Sequence, residues 1–86
     1  MTRYAYLPKD IGRLIREQRR AQGRTQREMA EALQVRRQTI GELERGMNVG
    51  VHLMFGALMY LGKAIALSDR RPTAEEMAEI LAQDDN

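Results

Sequence analysis

The stretch "TQREMAEALQVRRQTIGELERG", Thr25–Gly46, decides how this chain folds. Its first four residues form a capping box, in which the Thr25 hydroxyl accepts a backbone N–H of the first turn and Glu28 reaches back to the N–H of Thr25. Met29, Ala30 and Leu33 then recur at helical spacing, so a short helix is expected. A turn around Gln34 and Val35 ends it. A further helix is expected as far as Arg45, with Ile40 and Leu43 facing inward and Gly46 as its stop. The pattern is helix, tight turn, helix. Whether Arg36, Arg37 and Gln38 form a solvated face or a reading face is left open by the pattern alone.

Working outward toward the N-terminus, Ile11, Leu14 and Ile15 fall at i, i+3 and i+4. They predict a first helix capped by Asp10, after Pro8, and ended by Gly23. Toward the C-terminus, "VHLMFGALMYLG" from Val51 is apolar on more than one face: Leu53, Met54, Ala57, Leu58 and Leu61 make one stripe, and Phe55, Met59 and Tyr60 lie off it. A domain of this size does not bury both, so the helix either exposes a few apolar groups or forms half of a homodimer interface, the reading preferred here. "KAIAL", Lys63–Leu67, alternates weakly and is expected as one short strand, which a second copy could pair across a twofold axis. The expected dimer surface is therefore Phe55, Met59, Tyr60, Ala64, Ile65, Ala66 and Leu67.

From Ser68 onward the sequence turns polar and acidic. A second capping box, Thr73 to Glu76, precedes Met77, Ile80 and Leu81 at helical spacing. About ten residues are marginal as an isolated helix, so this segment either frays or folds onto a partner. The expected organisation is an N-terminal arm over 1–9, a helix-turn-helix and dimerisation domain over 10–67, and an acidic, partly disordered tail over 68–86. Arg3, Tyr4 and Tyr6 in the arm are expected to pack on the dimer, touch DNA or remain disordered. The expected fold class is all-α: a compact four-helix bundle containing the helix-turn-helix, with one short C-terminal strand.

Composition narrows the function. With 86 residues the chain suits one domain and a small core, which makes a multistep enzyme unexpected. There is no cysteine, so disulfides, thiolate metal sites and a cysteine nucleophile are excluded. "MTRYAYLP" lacks an apolar core long enough for a secretory signal, and a cytoplasmic location is expected. Charge is divided unevenly: residues 1–46 hold 11 lysines and arginines against 6 acidic residues, whereas residues 47–86 hold 3 against 6. The front half faces an anion, and all but one of its cations are arginines, whose planar fork suits phosphates and guanine edges. His52 is the only histidine and reads as structural or surface polar; the glycines form no phosphate-loop pattern, and Glu75, Glu76 and Glu79 lack metal-ligand companions. No enzyme activity, cofactor or metal is expected.

The segment from about Ile11 to Leu61 resembles the helix-turn-helix of the phage-repressor and Cro class, the XRE family. Gln26, Ala30, Val35, Ile40, Leu43 and the closing "ELERG" carry the likeness. The resemblance implies an ion pair between Arg19 and Glu44 that ties two helices together. Two positions depart from the family pattern: Gln34 stands where glycine usually makes the turn, and Arg36 where serine or threonine usually caps. Gly41 also lowers helix propensity by about 1 kcal/mol relative to alanine. A narrower likeness, over "TIGELERGMNVGVHLMFGALMYLGKAIAL", is to HipB-type antitoxin repressors. Those bind an operator as intertwined dimers and hold a HipA-like serine/threonine kinase toxin.

The resemblance implies that the third helix enters the major groove while the second crosses the backbone. Arg36, Arg37, Gln38, Thr39 and Glu42 would then face base edges, Arg37 matching guanine O6 and N7 and Gln38 matching adenine N6 and N7. Thr39 would meet a thymine methyl or a phosphate. Glu42 would accept from cytosine N4 or pair with a neighbouring arginine. Arg24, Gln26, Arg27 and Arg45 are the expected phosphate contacts. Arg13, Arg16 and Arg20 read as a solubilising face. The implied function is a dimeric, sequence-specific repressor on double-stranded DNA. The competing reading is a protein-interaction module on the same scaffold, with DNA binding weak or dependent on a partner.

Overall fold

The computed structural model describes residues 4–83, so Arg3 of the arm and residues 84–86 of the tail lie outside the described residues. Among the described residues five helices follow in order: α1 Pro8–Ala21, α2 Gln26–Leu33, α3 Arg37–Glu44, α4 Val51–Tyr60 and α5 Ala74–Gln83. The all-helical class is as expected, but five helices stand where four and a strand were expected. Lys63–Leu67 forms no strand within the chain. A strand needs a ladder partner for its backbone groups, and among the described residues no ladder forms with this segment.

Local chemistry sets the helix ends. Helix α1 begins at Pro8, two residues before the expected cap, because proline has no N–H to lose at a first helical position. Asp10 lies in the first turn instead of capping it. Its carboxylate reaches back to accept the N–H groups of Tyr6 and Leu7, both at 3.0 Å. The box at Thr25 forms as its residues dictate: Thr25 Oγ1 accepts from Glu28 N at 3.0 Å, and Glu28 Oε1 accepts from Thr25 N at 2.8 Å. Thr73 and Glu76 repeat the arrangement at the start of α5.

Ile15, Met29, Ala30, Ile40, Leu43, Ala57 and Leu61 form the core, flanked by half-buried Ile11, Leu33, Val35, Val49, Met54, Leu58 and Tyr60. Full burial of side chains such as Ile15, Met29 and Ile40 stabilises by about 1.5–3 kcal/mol each. Helix α1 crosses α3 at very close range. A β-carbon on Gly12 would stand 2.6 Å from the carbonyl oxygens of both Leu43 and Glu44, so only glycine fits there.

On α4, Ala57 and Leu61 at its C-cap turn inward, whereas Val51, Phe55 and Met59 recur every four residues and are 63%, 50% and 80% exposed. Leu67, at 98%, is almost wholly solvated. Polar contacts tie α5 and the segment before it to the rest of the chain: Lys9 Nζ meets Glu79 Oε1 at 2.6 Å, and Arg70 bonds the Tyr6 hydroxyl and Glu76 while lying 4.7 Å over the Tyr4 ring. Among the described residues no helix is long and apolar enough to cross a membrane.

Candidate nucleic-acid interface

Helices α2 and α3 are joined by a tight turn whose backbone closes on itself. Gln34 adopts φ 58°, ψ 43°, the left-handed conformation, and Val35 N donates to Ala30 O at 3.0 Å. This is a Schellman closure with glutamine in the place that glycine usually takes, and the half-buried Val35 packs onto the core beside it. The turn therefore keeps its shape despite the missing glycine. Arg36 is the N-cap of α3 with extended backbone and no side-chain capping bond. Its guanidinium is left outside, as a first-turn cation that caps nothing.

Arg36, Arg37 and Gln38 are exposed side by side at the start of α3, with Thr39 half-buried next to them and Glu42 half-buried one turn on. Among the described residues none of these five side chains forms a hydrogen bond or ion pair. Their donors and acceptors are therefore left to solvent on this face. The expectation that Glu42 pairs with a nearby arginine finds no such bond here.

The four expected phosphate contacts divide. Arg27 and Arg45 are exposed, Arg45 having only a 4.0 Å approach from Nη2 to Met47 Sδ. Arg24 turns away instead: its Nη1 donates to the Tyr60 carbonyl at 3.0 Å and its guanidinium lies 4.4 Å from the centroid of the Tyr60 ring. The free carbonyl and negative dipole end of α4 attract a cation, and the aromatic face beside them adds to the pull. Gln26 also turns partly inward, donating from Nε2 to Glu44 Oε1 at 3.0 Å. Sequence spacing gave no sign of either contact, because both join residues at least 18 positions apart.

Under this face lies a buried ion pair. Arg19 Nε donates to Glu44 Oε2 at 2.6 Å and Nη2 to Oε1 at 3.1 Å, while Nη1 donates to the Arg24 carbonyl at 2.8 Å. Burial by itself would raise the Glu44 pKa. The hydrogen bonds from Arg19 and Gln26, with the charges of Arg19 and Arg16, outweigh it and hold the carboxyl below the ordinary carboxylate value. Among the described residues no buried side-chain nitrogen or oxygen lacks a partner, so this polar centre is fully satisfied.

The sequence profile of the helix-turn-helix family matches residues 15–67, more than half of the chain. The chain belongs to the XRE-type helix-turn-helix family. The match takes in α2, the Gln34 turn and α3 whole, together with α4 and the segment expected as a strand. The family is one of DNA-binding transcription regulators, which agrees with a row of unengaged donors at the start of the helix-turn-helix's second helix. No curated protein matches the chain.

Proposed function

We propose that this helix-turn-helix protein is a sequence-specific transcriptional repressor that binds an inverted-repeat operator as a twofold dimer. The observation that carries the reading is the row Arg36, Arg37, Gln38, solvated and unengaged at the N-terminal end of α3. In the docking geometry of this motif those residues face base edges, with Arg37 on guanine and Gln38 on adenine. Thr39 and Glu42 flank them, and Arg27, Arg45 and the N-terminus of α2 meet the backbone.

One head of this size makes few base contacts, whereas specific recognition requires about 4–10 kcal/mol over nonspecific binding. A dimer supplies two heads. The exposed α4 stripe Val51, Phe55 and Met59, together with exposed Ile65 and Leu67 beyond the helix, supports such an association, because so much apolar surface on a small domain marks a contact. Ala64 and Ala66 add small side chains on the segment that holds Ile65 and Leu67, and half-buried Tyr60 lies beneath Arg24. The likeness of Thr39–Leu67 to HipB-type repressors extends the reading to an antitoxin with a HipA-like kinase as partner. A role in the cytoplasm follows from that function.

The test is Arg37→Ala combined with Gln38→Ala. Each lost bidentate contact removes roughly 1–3 kcal/mol of discrimination. Fluorescence anisotropy should show operator affinity falling to the level of an unrelated duplex, with the sedimentation behaviour of the dimer unchanged. Operator affinity equal to that of the unaltered protein would remove α3 from the groove and favour the interaction-module reading.

A further inference from the structure

We propose that Glu44 is a positioning residue for DNA binding: through its bond to Gln26 it fixes the start of α2 against the DNA backbone. The proposal rests on the DNA-binding reading above and adds to it a residue that never touches DNA.

Glu44 ends α3 and is 7% exposed. Its carboxylate takes three donors. Two come from Arg19 on α1, and the third is Gln26 Nε2, from the first residue of α2, on the oxygen that Arg19 Nη2 also shares. The second anchor is the loop leading into α2. Arg19 Nη1 holds the Arg24 carbonyl at 2.8 Å, and Arg24 N donates to Arg19 O at 3.0 Å. Both the backbone entering α2 and the first side chain of α2 are thus fixed to one guanidinium–carboxylate unit. An ion pair serving only to brace α1 against α3 would need neither link.

A carboxylate only accepts, so its presence decides which end of the Gln26 amide faces inward: the nitrogen. One N–H goes to Glu44. The second amide N–H and the backbone N–H groups of Gln26 and Arg27, which neither the helix nor the Thr25 cap engages, remain for an external acceptor. Gly41 lies beneath these side chains: a β-carbon there would stand 3.2 Å from Arg45 Nη1, closer than ordinary contact, and 3.9 Å from Gln26 Nε2, an ordinary van der Waals distance, so the Gln26 amide does not depend on the glycine. The lowered pKa of Glu44 agrees with the arrangement, because the charged carboxylate is the form that Gln26 and Arg19 hold.

The test uses the full chain. In the unaltered protein, NMR should show the Gln26 side-chain amide shifting with the same midpoint as the Glu44 carboxyl carbon, at a pH below the ordinary carboxylate range. Glu44→Gln strips buried Arg19 of its counter-charge and is expected to fold poorly, so the binding arm uses Gln26→Met, which leaves the ion pair intact. Its affinity should fall roughly fivefold to tenfold for operator and unrelated duplex alike, since a backbone contact carries no sequence information. Its thermal midpoint should remain close to that of the unaltered protein. An amide indifferent to the Glu44 titration, or a Gln26→Met variant altered in stability but not in affinity, would overturn the proposal. If the unaltered protein bound no duplex while the amide still followed Glu44, the DNA-binding reading itself would fall, and the positioning role with it, although the bond would stand.

Discussion

Replacing Gln34 by glycine should stabilise the protein. Gln34 holds φ 58°, ψ 43° at the end of α2, the one positive φ outside glycine among the described residues. In that conformation a β-carbon crowds the following carbonyl oxygen, at about 1–2 kcal/mol. The side chain is exposed and makes no hydrogen bond among the described residues, so its removal costs little in contacts. Against the relief stands the greater freedom of glycine in the unfolded chain, about 0.4–1 kcal/mol. The net gain is then about 0.5–1 kcal/mol, or roughly 3–6 °C in a domain of this size. Thermal unfolding followed by circular dichroism measures it directly. Gln34→Ala is the control, because it keeps the β-carbon and should give no gain. A Gln34→Gly variant no more stable than Gln34→Ala would refute the assignment of strain to this turn.

Two further perturbations follow from the packing and from Glu44. Gly12→Ala would place a methyl 2.6 Å from two backbone carbonyl oxygens on α3, which no rotamer change relieves. Overpacking of this kind costs about 1–3 kcal/mol, so the denaturant midpoint should fall, and an unchanged midpoint would contradict the close approach of α1 to α3. The Glu44 pKa is lower in the folded protein than its unfolded value of about 4.3, so its contribution is fully present above that value and is lost as pH falls through the folded pKa. Denaturant titrations should therefore give a plateau between about pH 5.5 and 7 and declining stability below about pH 4.3. Stability that held level to pH 3 would contradict the charged, bonded state of Glu44.

What the sequence disclosed follows the range of the interactions involved. The capping boxes at Thr25 and Thr73 mark helix starts at Gln26 and Ala74 because every participant lies within four residues. The apolar positions Ile15, Met29, Ala30, Ile40, Leu43, Ala57 and Leu61 are buried because helical periodicity places them on inward faces. Asp10 was misplaced because aspartate acts both as a cap and as a first-turn acceptor, and Pro8 decided between the two. The expected strand at Lys63–Leu67 has no ladder partner among the described residues, and a ladder is a property of two segments. Arg24 and Gln26 lay beyond sequence reasoning because their partners, Tyr60 and Glu44, come from other helices. The unexpected residue at Gln34 has a local answer, since Val35 and the Ala30 carbonyl close the turn around it.

The central claim is that α3 reads a particular DNA sequence from a twofold dimer. Its most direct measurement is selection of bound sites from a randomised duplex pool at about physiological salt, where nonspecific phosphate attraction is weakened. The account predicts enrichment of an inverted repeat whose half-site centres lie about one helical turn, 34–36 Å, apart. A bound fraction no different from the starting pool would contradict it.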